Sequence, residues 1–263
     1  MEIKKPFIFL KALPKKLNRF FIKKSRTSLV INNKSKNLNI FNPVTNFDKS
    51  FEKLIRSLII RSFPKHGIIG EEFKDKNSTN NYNWLIDPID GTKAFVIGVP
   101  TWSNLIGLMY KKESIVGLAN FPELNKYYIS DKKRTYLFKD KKRFIINCSK
   151  KYNLKKIKVI GNFHGYINNK NKFKIIKKLG QSFRPVSFDA LSYCLLAEGK
   201  IDAVIETNLK SFDIMPLIPI IKNAGGCVSN WKGNSAEKGG NIVASSNRKL
   251  HEKILKILNN FKT

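Results

Sequence analysis

Acidic residues are scarce in this chain of 263 residues: 19 Asp and Glu stand against 50 Lys and Arg, for a formal net charge of +31. Cysteine and histidine are rarer still, at three each. Cys148, Cys194 and Cys227 are odd in number, far apart and without Cys-x-x-Cys spacing. That excludes a disulfide framework and a zinc knuckle, and it fits reduced thiols in a cytosol. His66, His164 and His251 show no paired metal spacing, and each is read as non-catalytic. No apolar run approaches the length of a membrane span. The short run Pro6 to Leu10 follows Lys4 and Lys5 but is broken by Lys11. No small-residue cleavage site follows it, which argues against a signal peptide. There is no internal repeat and no low-complexity linker.

Apolar residues, by contrast, are plentiful. Hydrophobic residues make up 42% of the chain and aromatics 11%, enough for a large packed core, so wholesale disorder is ruled out. The length allows one or two domains, with a soft internal boundary near Lys150. The positive charge leaves two explanations open. It suits a nucleic-acid or membrane partner. It also suits a bland compositional bias, because Lys, Asn, Ile and Phe are abundant together.

The apolar pattern predicts a layered α/β domain with two sheets. A basic amphipathic helix is expected through Leu17 to Ile22. A second helix is expected over Phe47 to Ile60, stopped by Pro64 and Gly67. Trp84 to Ile86 reads as a buried strand, and His66 to Ile69 as a candidate strand. Leu105 to Tyr110, Ile115 to Phe121 and Tyr127 to Ile129 read as hairpin strands. Strand and helix then alternate. Strands are expected at Ile157 to Gly161, Ala203 to Ile205 and Ile242 to Ala244. Helices are expected at Lys172 to Leu179, Leu191 to Glu198, Asp213 to Asn223 and Leu250 to Phe261. Pro216 and Pro219 must sit early in their helix or bend it.

Because acidic residues are few, their clusters are informative. Asp87-Pro88-Ile89-Asp90-Gly91-Thr92 directly follows the strand at Trp84 to Ile86. That puts both carboxylates at a sheet rim, where open α/β sheets bind ligands. Gly91 permits close backbone approach, and a helix opening at Thr92 would offer N–H groups to a phosphate. Hard oxygen donors beside an anion cradle describe a magnesium–phosphate site. Gly70-Glu71-Glu72 lies upstream. Thr45 to Asp48 opens the first long helix, and Asp213 opens a later one. Each of these features also has a plain reading as a cap or a solvated turn.

Four motifs in this order resemble the inositol monophosphatase-like family of magnesium-dependent phosphatases. They are Thr45 to Asp48, Gly70-Glu71-Glu72, Trp84 to Lys93, and Phe212-Asp213 with Ala224-Gly225-Gly226. Gly91 to Phe95, Gly98-Val99-Pro100, Leu105 to Leu108, Asp189 and Tyr193 to Gly199 are most similar to the bacterial histidinol-phosphatase branch, as is Leu217 to Ile220.

The resemblance implies one αβαβα sandwich domain over residues 1–263, and a homodimer. It implies metal ligation by Glu71, Asp87, the carbonyl of Ile89, Asp90 and Asp213. Two magnesium ions are expected, or three if Asp48 faces a weakly held one. Thr92 and Glu71 would orient the attacking water, and Gly91 and Thr92 would hold the phosphate. The expected reaction is hydrolysis of a small phosphate monoester by metal-activated water, with histidinol phosphate, an intermediate of histidine biosynthesis, as the leading substrate. Inositol phosphate and nucleotide 3′-phosphate are the alternatives. A basic nucleic-acid-binding protein on a phosphatase fold is the alternative of another class, though such a binder has no need of the full acidic set. The expectation is therefore a cytoplasmic enzyme with no specific nucleic-acid partner and no membrane partner.

Asp189 and Glu206 are the substrate-binding candidates. Two carboxylates at the pocket mouth suit a substrate bearing an ammonium and an imidazole. Asp189 can equally be the cap of the helix it opens. Three departures from the family pattern stand out. Phe212 replaces a tryptophan, Phe47 a small residue, and Ser187-Phe188 a glycine pair. The segment before Pro43, including Lys34 to Asn39, matches poorly and is given no role.

Overall fold

The computed structural model describes residues 3–37, 41–163, 169–179 and 182–260. His164, the end of the Lys34 to Asn39 segment and the expected last residue of the closing helix, Phe261, lie outside the described residues.

Helix α1 (Lys4–Lys24) buries Leu10, Leu13 and Leu17 along one stripe and leaves its lysines outside. It begins 13 residues before the expected Leu17. Pro14 hid this: a mid-helix proline removes one N–H bond, and burial of the flanking leucines offsets the loss. A two-stranded hairpin follows, β1 (Ile31–Asn33) against β2 (Pro43–Thr45). It runs into α2 (Asn46–Ser62), which is capped by Thr45.

The next elements are β3 (Gly67–Gly70), β4 (Tyr82–Asp90), the short α3 (Thr92–Val96), β5 (Ser103–Tyr110) and β6 (Glu113–Phe121). After them come β7 (Lys126–Ser130), β8 (Thr135–Lys139) and β9 (Lys142–Ile146). Strands β3 to β9 form one seven-stranded sheet in chain order, antiparallel except for β3 beside β4.

The second half contributes β10 (Val159–Asn162), α4 (Asn169–Leu179), β11 (Phe183–Arg184), α5 (Ala190–Ala197) and β12 (Ala203–Leu209). It continues with α6 (Ser211–Ile214), α7 (Leu217–Asn223), β13 (Cys227–Asn230), β14 (Gly240–Ser245) and α8 (Arg248–Leu258). Its five strands make a second sheet in the order β11-β10-β12-β14-β13. The helix expected over Asp213 to Asn223 is in fact two. Pro216 sits at the N-cap of α7 and ends the α6 turn, as its missing N–H requires.

Three apolar cores stack the layers. The first joins α1 and α2 to one face of the large sheet through Trp84, Ile86, Ile106 and Leu118. The second lies between the sheets, where α5 and α7 meet Leu85, Leu105, Val204 and Ala244. The third packs Ile175 of α4 and Ile254 of α8 on the far face of the small sheet. The result is the expected αβαβα sandwich. Gly117 makes the middle layer possible, because a Cβ there would fall 1.8 Å from the Pro216 carbonyl.

A candidate acidic active site between the sheets

Strand β4 is buried on both faces. Trp84 and Ile86 point to the outer helices and Leu85 to the middle layer. Period-two alternation puts Asp87 on the Leu85 side, facing the space between the sheets. The β4–β5 register slips between Asp87 and Asp90, and such an irregularity re-aims side chains at a strand end. Asp90 is held there from two elements. The Ala190 N–H at the start of α5 donates to its Oδ2 at 2.8 Å, and the Ser103 hydroxyl approaches the same oxygen at 3.4 Å. The Ile89 N–H donates to Asp87 Oδ1 at 3.0 Å. Gly91 has φ +79°, and the Thr92 hydroxyl beyond it donates to the Ile89 carbonyl at 2.9 Å.

Parallel pairing of β3 with β4 carries Glu71 to the same rim, its N–H 3.3 Å from the Ile86 carbonyl. Asp213 arrives from the opposite sheet on α6, where the Lys210 N–H donates to its Oδ2 at 2.7 Å. Glu71, Asp87, Ile89, Asp90, Gly91, Thr92, Asp189, Glu206 and Asp213 all line one cavity of about 630 Å³. Segments from both halves of the chain, Glu71 and Asp213 being 142 residues apart in sequence, thus supply one acidic wall.

Asp48 stands behind that wall. It is 1% exposed, and its Oδ2 accepts from the N–H and hydroxyl of Thr45 at 2.7 and 2.5 Å. Only Oδ1 faces the site, 3.5 Å from the Thr92 hydroxyl. The cap reading of Asp48 and its reading as a site residue therefore use different oxygens.

The acidic residues are costly neighbours. Burial pushes the Asp87 carboxyl well above the ordinary carboxylate range, and Glu71, Asp90 and Asp213 push it further. Asp90 rises for the same reason, with Asp189 as its strongest charged neighbour. Burial raises Asp213 to about 7, although the Lys210 N–H opposes the change. Buried carboxylates require a compensating cation or a proton. Among the described residues no three of these side chains close around a single point; they ring the cavity, and Glu71 is turned toward Lys34. Chemically the set fits a hard divalent cation: four carboxylates and a backbone carbonyl, with neither thiolate nor imidazole among them.

Asp189 opens α5 but its side chain makes no capping bond there. Its backbone is strained, at φ +48° and ψ −133°, a region an aspartate seldom enters. The carboxylate lies against Gly91, where a Cβ would come within 2.7 Å of Asp189 Oδ2. Glu206 sits deeper, 2% exposed on β12. One of its oxygens accepts from the Ser187 hydroxyl and the other from Tyr193 at 2.9 Å. Burial raises Glu206 to about 7 despite those two bonds.

Sequence reasoning passed over Lys34, Ser187, Tyr193 and the Ala190 N–H. The signal for Ser187 and Tyr193 was their nearness to Asp189; Lys34 carried none. Of the departures, Phe47 is buried and packs 5.3 Å from Phe95, a core contact. His66 and His251 lie away from the cavity. His66 accepts from the Trp84 indole at 3.0 Å, and His251 bonds to Ser229 at 2.9 Å.

Comparisons with known proteins agree on the family and differ in the activity named. A family model described as the inositol monophosphatase family matches residues 9–263. The chain is 30% identical over 234 residues to the bifunctional phosphatase IMPL2 of Arabidopsis thaliana, covering 82% of this chain and 65% of that protein. It is 31% identical to the histidinol-phosphatase of Mycobacterium tuberculosis, covering 82% and 85%. It is also 31% identical to the Nus factor SuhB of Haemophilus influenzae, covering 81% and 82%. Among solved structures, an IMPase/NADP phosphatase complexed with Mg2+ and phosphate superposes with a TM-score of 0.80 at 21% identity, over 96% of this chain and 94% of that one.

Proposed function

Because the chain belongs to the inositol monophosphatase family, a family of phosphatases, we propose that it hydrolyses a small phosphate monoester with divalent metal, and that the ester is histidinol phosphate. One observation carries the reading: four carboxylates and the Ile89 carbonyl line a single cavity beside Gly91 and Thr92. Glu71, Asp87, Ile89, Asp90 and Asp213 would hold magnesium, two ions in all, and Asp48 would face the water shell of a third. The metal would supply the positive charge that stabilises attacking and leaving oxygens in phosphoryl transfer.

The chain's own residues supply the rest. The backbone of Gly91 and Thr92 receives the phosphate. Thr92 is oriented by its bond to the Ile89 carbonyl, and with Glu71 it directs a water at phosphorus. The sequence carries no nucleophilic Cys or Ser motif, which favours water over a covalent nucleophile. Asp189 and Glu206 line the same cavity and would present negative charge to the leaving alcohol. An ammonium group on that alcohol would offset the repulsion they otherwise exert on Asp90.

The histidinol-phosphatase relatives support this substrate, and the acidic pocket supports it independently. The family resemblance supports a homodimer and a cytoplasmic location as part of the same reading. The test is a panel of phosphate esters assayed with saturating magnesium. Histidinol phosphate should show the highest kcat/KM, and Asp189→Asn should lower that value roughly ten- to hundred-fold, the worth of a charge-assisted hydrogen bond. A neutral ester should change only a few-fold. Equal losses for both would remove the cation argument. A second reading, contact with RNA, is favoured by the +31 charge. Binding to mixed RNA that collapses at moderate salt would reduce it to nonspecific attraction.

A further inference from the structure

Helix α1 has no part in the hydrolysis described above. Eight of its 21 residues are Lys or Arg, and from Ile3 to Phe47 the chain contains no Asp or Glu. The charge is one-sided. Lys4, Lys11, Lys15 and Arg19 fall on one helical stripe, with Lys5 and Lys16 beside it, and all six are exposed. Among the described residues no ion pair joins α1 to an acidic side chain. Elsewhere cations are paired with acids, as Lys200 is with Glu198 and Arg248 with Glu252. Asp131 shares a shallow cleft with Lys4, but its own turn engages it. The Lys133 and Arg134 N–H groups each donate to its Oδ1 at 2.7 Å, and the Tyr136 hydroxyl donates to its Oδ2 at 3.0 Å.

The position of α1 narrows what this face can meet. Its apolar stripe packs on the outer face of the large sheet, and none of its residues lines the acidic cavity. Its aromatic rings also turn inward: Phe9 lies 5.4 Å from Trp84, Phe20 5.0 Å from Phe51 and Phe21 5.0 Å from Trp102. They are not placed to stack on the bases of a single strand, which binders of single strands require. A helix lying in a membrane surface sinks its apolar face among the acyl chains; that of α1 is already buried. The exposed large apolar residues, Ile8 and Ile22, stand about 21 Å apart along the axis and form no patch. What remains outward is a rigid row of cations, one every turn or so.

We propose that the outer face of α1 is a docking surface for the phosphate backbone of a nucleic-acid duplex, held without regard to base sequence. The proposal gives nucleic-acid contact one place on the molecule and is independent of the phosphatase reading. At 1.5 Å per residue, 21 residues span about 30 Å. Over that length a duplex presents about 18 phosphate charges, more than enough for every outward cation. Each phosphate neutralised releases condensed counterions, so binding weakens steeply with salt. Flexible lysine stems on a convex helix position a backbone and do not read base edges. Because α1 and the cavity lie on opposite faces of the large sheet, a docked duplex leaves the cavity open.

The test is a salt titration of binding to RNA and DNA duplexes of about 20 base pairs, long enough to cover the helix. A full chain carrying Lys11→Gln, Lys15→Gln, Lys16→Gln and Arg19→Gln keeps good helix formers at each position. At about 100 mM salt it should bind at least roughly tenfold more weakly than the parent, and its slope of log K against log salt should be smaller by about 2–4. Its ester hydrolysis should be unchanged. A control carrying Lys170→Gln, Lys174→Gln, Lys177→Gln and Lys256→Gln removes the same charge from exposed positions on α4 and α8, the opposite outer layer, and should keep the parent's slope. Equal losses in the two variants would reduce binding to net charge and overturn the proposal. So would no duplex binding by the parent, or tighter binding to phosphatidylserine vesicles than to either duplex. If the fourfold variant does not fold, Lys15→Gln alone decides: its slope should fall by about 0.9, and an unchanged slope would overturn the proposal. Any difference between the RNA and DNA arms assigns the backbone preferred. A parent that binds duplex but hydrolyses no ester would overturn the phosphatase reading and support this one.

Discussion

Glu206→Gln should make the metal-free protein more stable at neutral pH and a poorer enzyme at the same time. Glu206 is 2% exposed, and burial raises its carboxyl from the ordinary 4.5 to about 7. A carboxyl raised on folding stabilises the protein fully below its unfolded value and loses that contribution as pH rises through the folded one. With 1.36 kcal/mol for each pH unit of difference, about 2–2.5 kcal/mol disappears between pH 5 and pH 7.5. A glutamine does not titrate, so it avoids that loss. At pH 5 the parent side chain is largely protonated, and the two proteins should be close in stability. At pH 7.5 the variant should gain about 4–10 °C on the parent, using about 2–4 °C per kcal/mol for a chain of this size. The hydroxyls of Ser187 and Tyr193 can still bond to an amide, so the local fold survives.

The assay is thermal unfolding of both proteins in chelator across this pH range, read as a difference. The raw midpoint of the parent is a poor readout, because burial lowers His251 to about 4. A histidine lowered on folding weakens the protein as pH falls below about 6.5, which opposes the trend from Glu206. The difference cancels His251. A flat difference, or one that favours the parent at pH 7.5, would refute the account of Glu206 as a destabilised buried acid. In parallel, kcat/KM for histidinol phosphate should fall at pH 7.5 while that for a neutral ester changes little. Loss on both substrates would assign Glu206 to pocket architecture.

Two further outcomes follow from single positions. Asp87→Asn should abolish magnesium-dependent hydrolysis without lowering the metal-free thermal midpoint, since it removes one of several repelling charges; turnover at a tenth of the parent rate would count against Asp87 as a metal ligand. Gly91→Ala should cost about 1–2 kcal/mol through its φ of +79°, while its Cβ, 2.7 Å from Asp189 Oδ2, should turn that carboxylate aside; an unchanged midpoint in thermal unfolding would show that this turn relaxes freely.

What the sequence made legible was local. The buried run at Trp84 to Ile86 and the acids after it lie on one strand and one turn, so spacing alone placed them. Helix α2 was legible through its 3.6-residue pattern, and a cap by Thr45 or Asp48 through their place at its start; that the two cap each other was not. Strand β9 was not, because four of its five residues are exposed and no alternation marks an edge of that kind. Helix α1 was legible only in its second half, because Pro14 reads as a break until the sheet beneath it is known.

The site shows where such reading stops. Asp90 is held by an N–H 100 residues away, and Glu71 by an amine 37 residues away. No local period encodes either contact. Asp189 is the sharpest case, because its sequence position before α5 argues for a cap. The structure instead leaves its side chain without a capping bond, in a backbone conformation that disfavours aspartate. Its carboxylate faces the cavity wall at Gly91 instead. Strain of that kind, of order 1–3 kcal/mol, persists only where the surroundings over-determine it. Here the α5 N–H on Asp90 and the Ser187 hydroxyl on the Asp189 N–H, at 2.8 and 3.2 Å, do so. Asp189 and Ala190 are adjacent, so the backbone that Ser187 holds also carries the N–H that holds Asp90, and Ser187→Ala should shift both carboxylates, seen as paired displacements in a crystal structure of the variant.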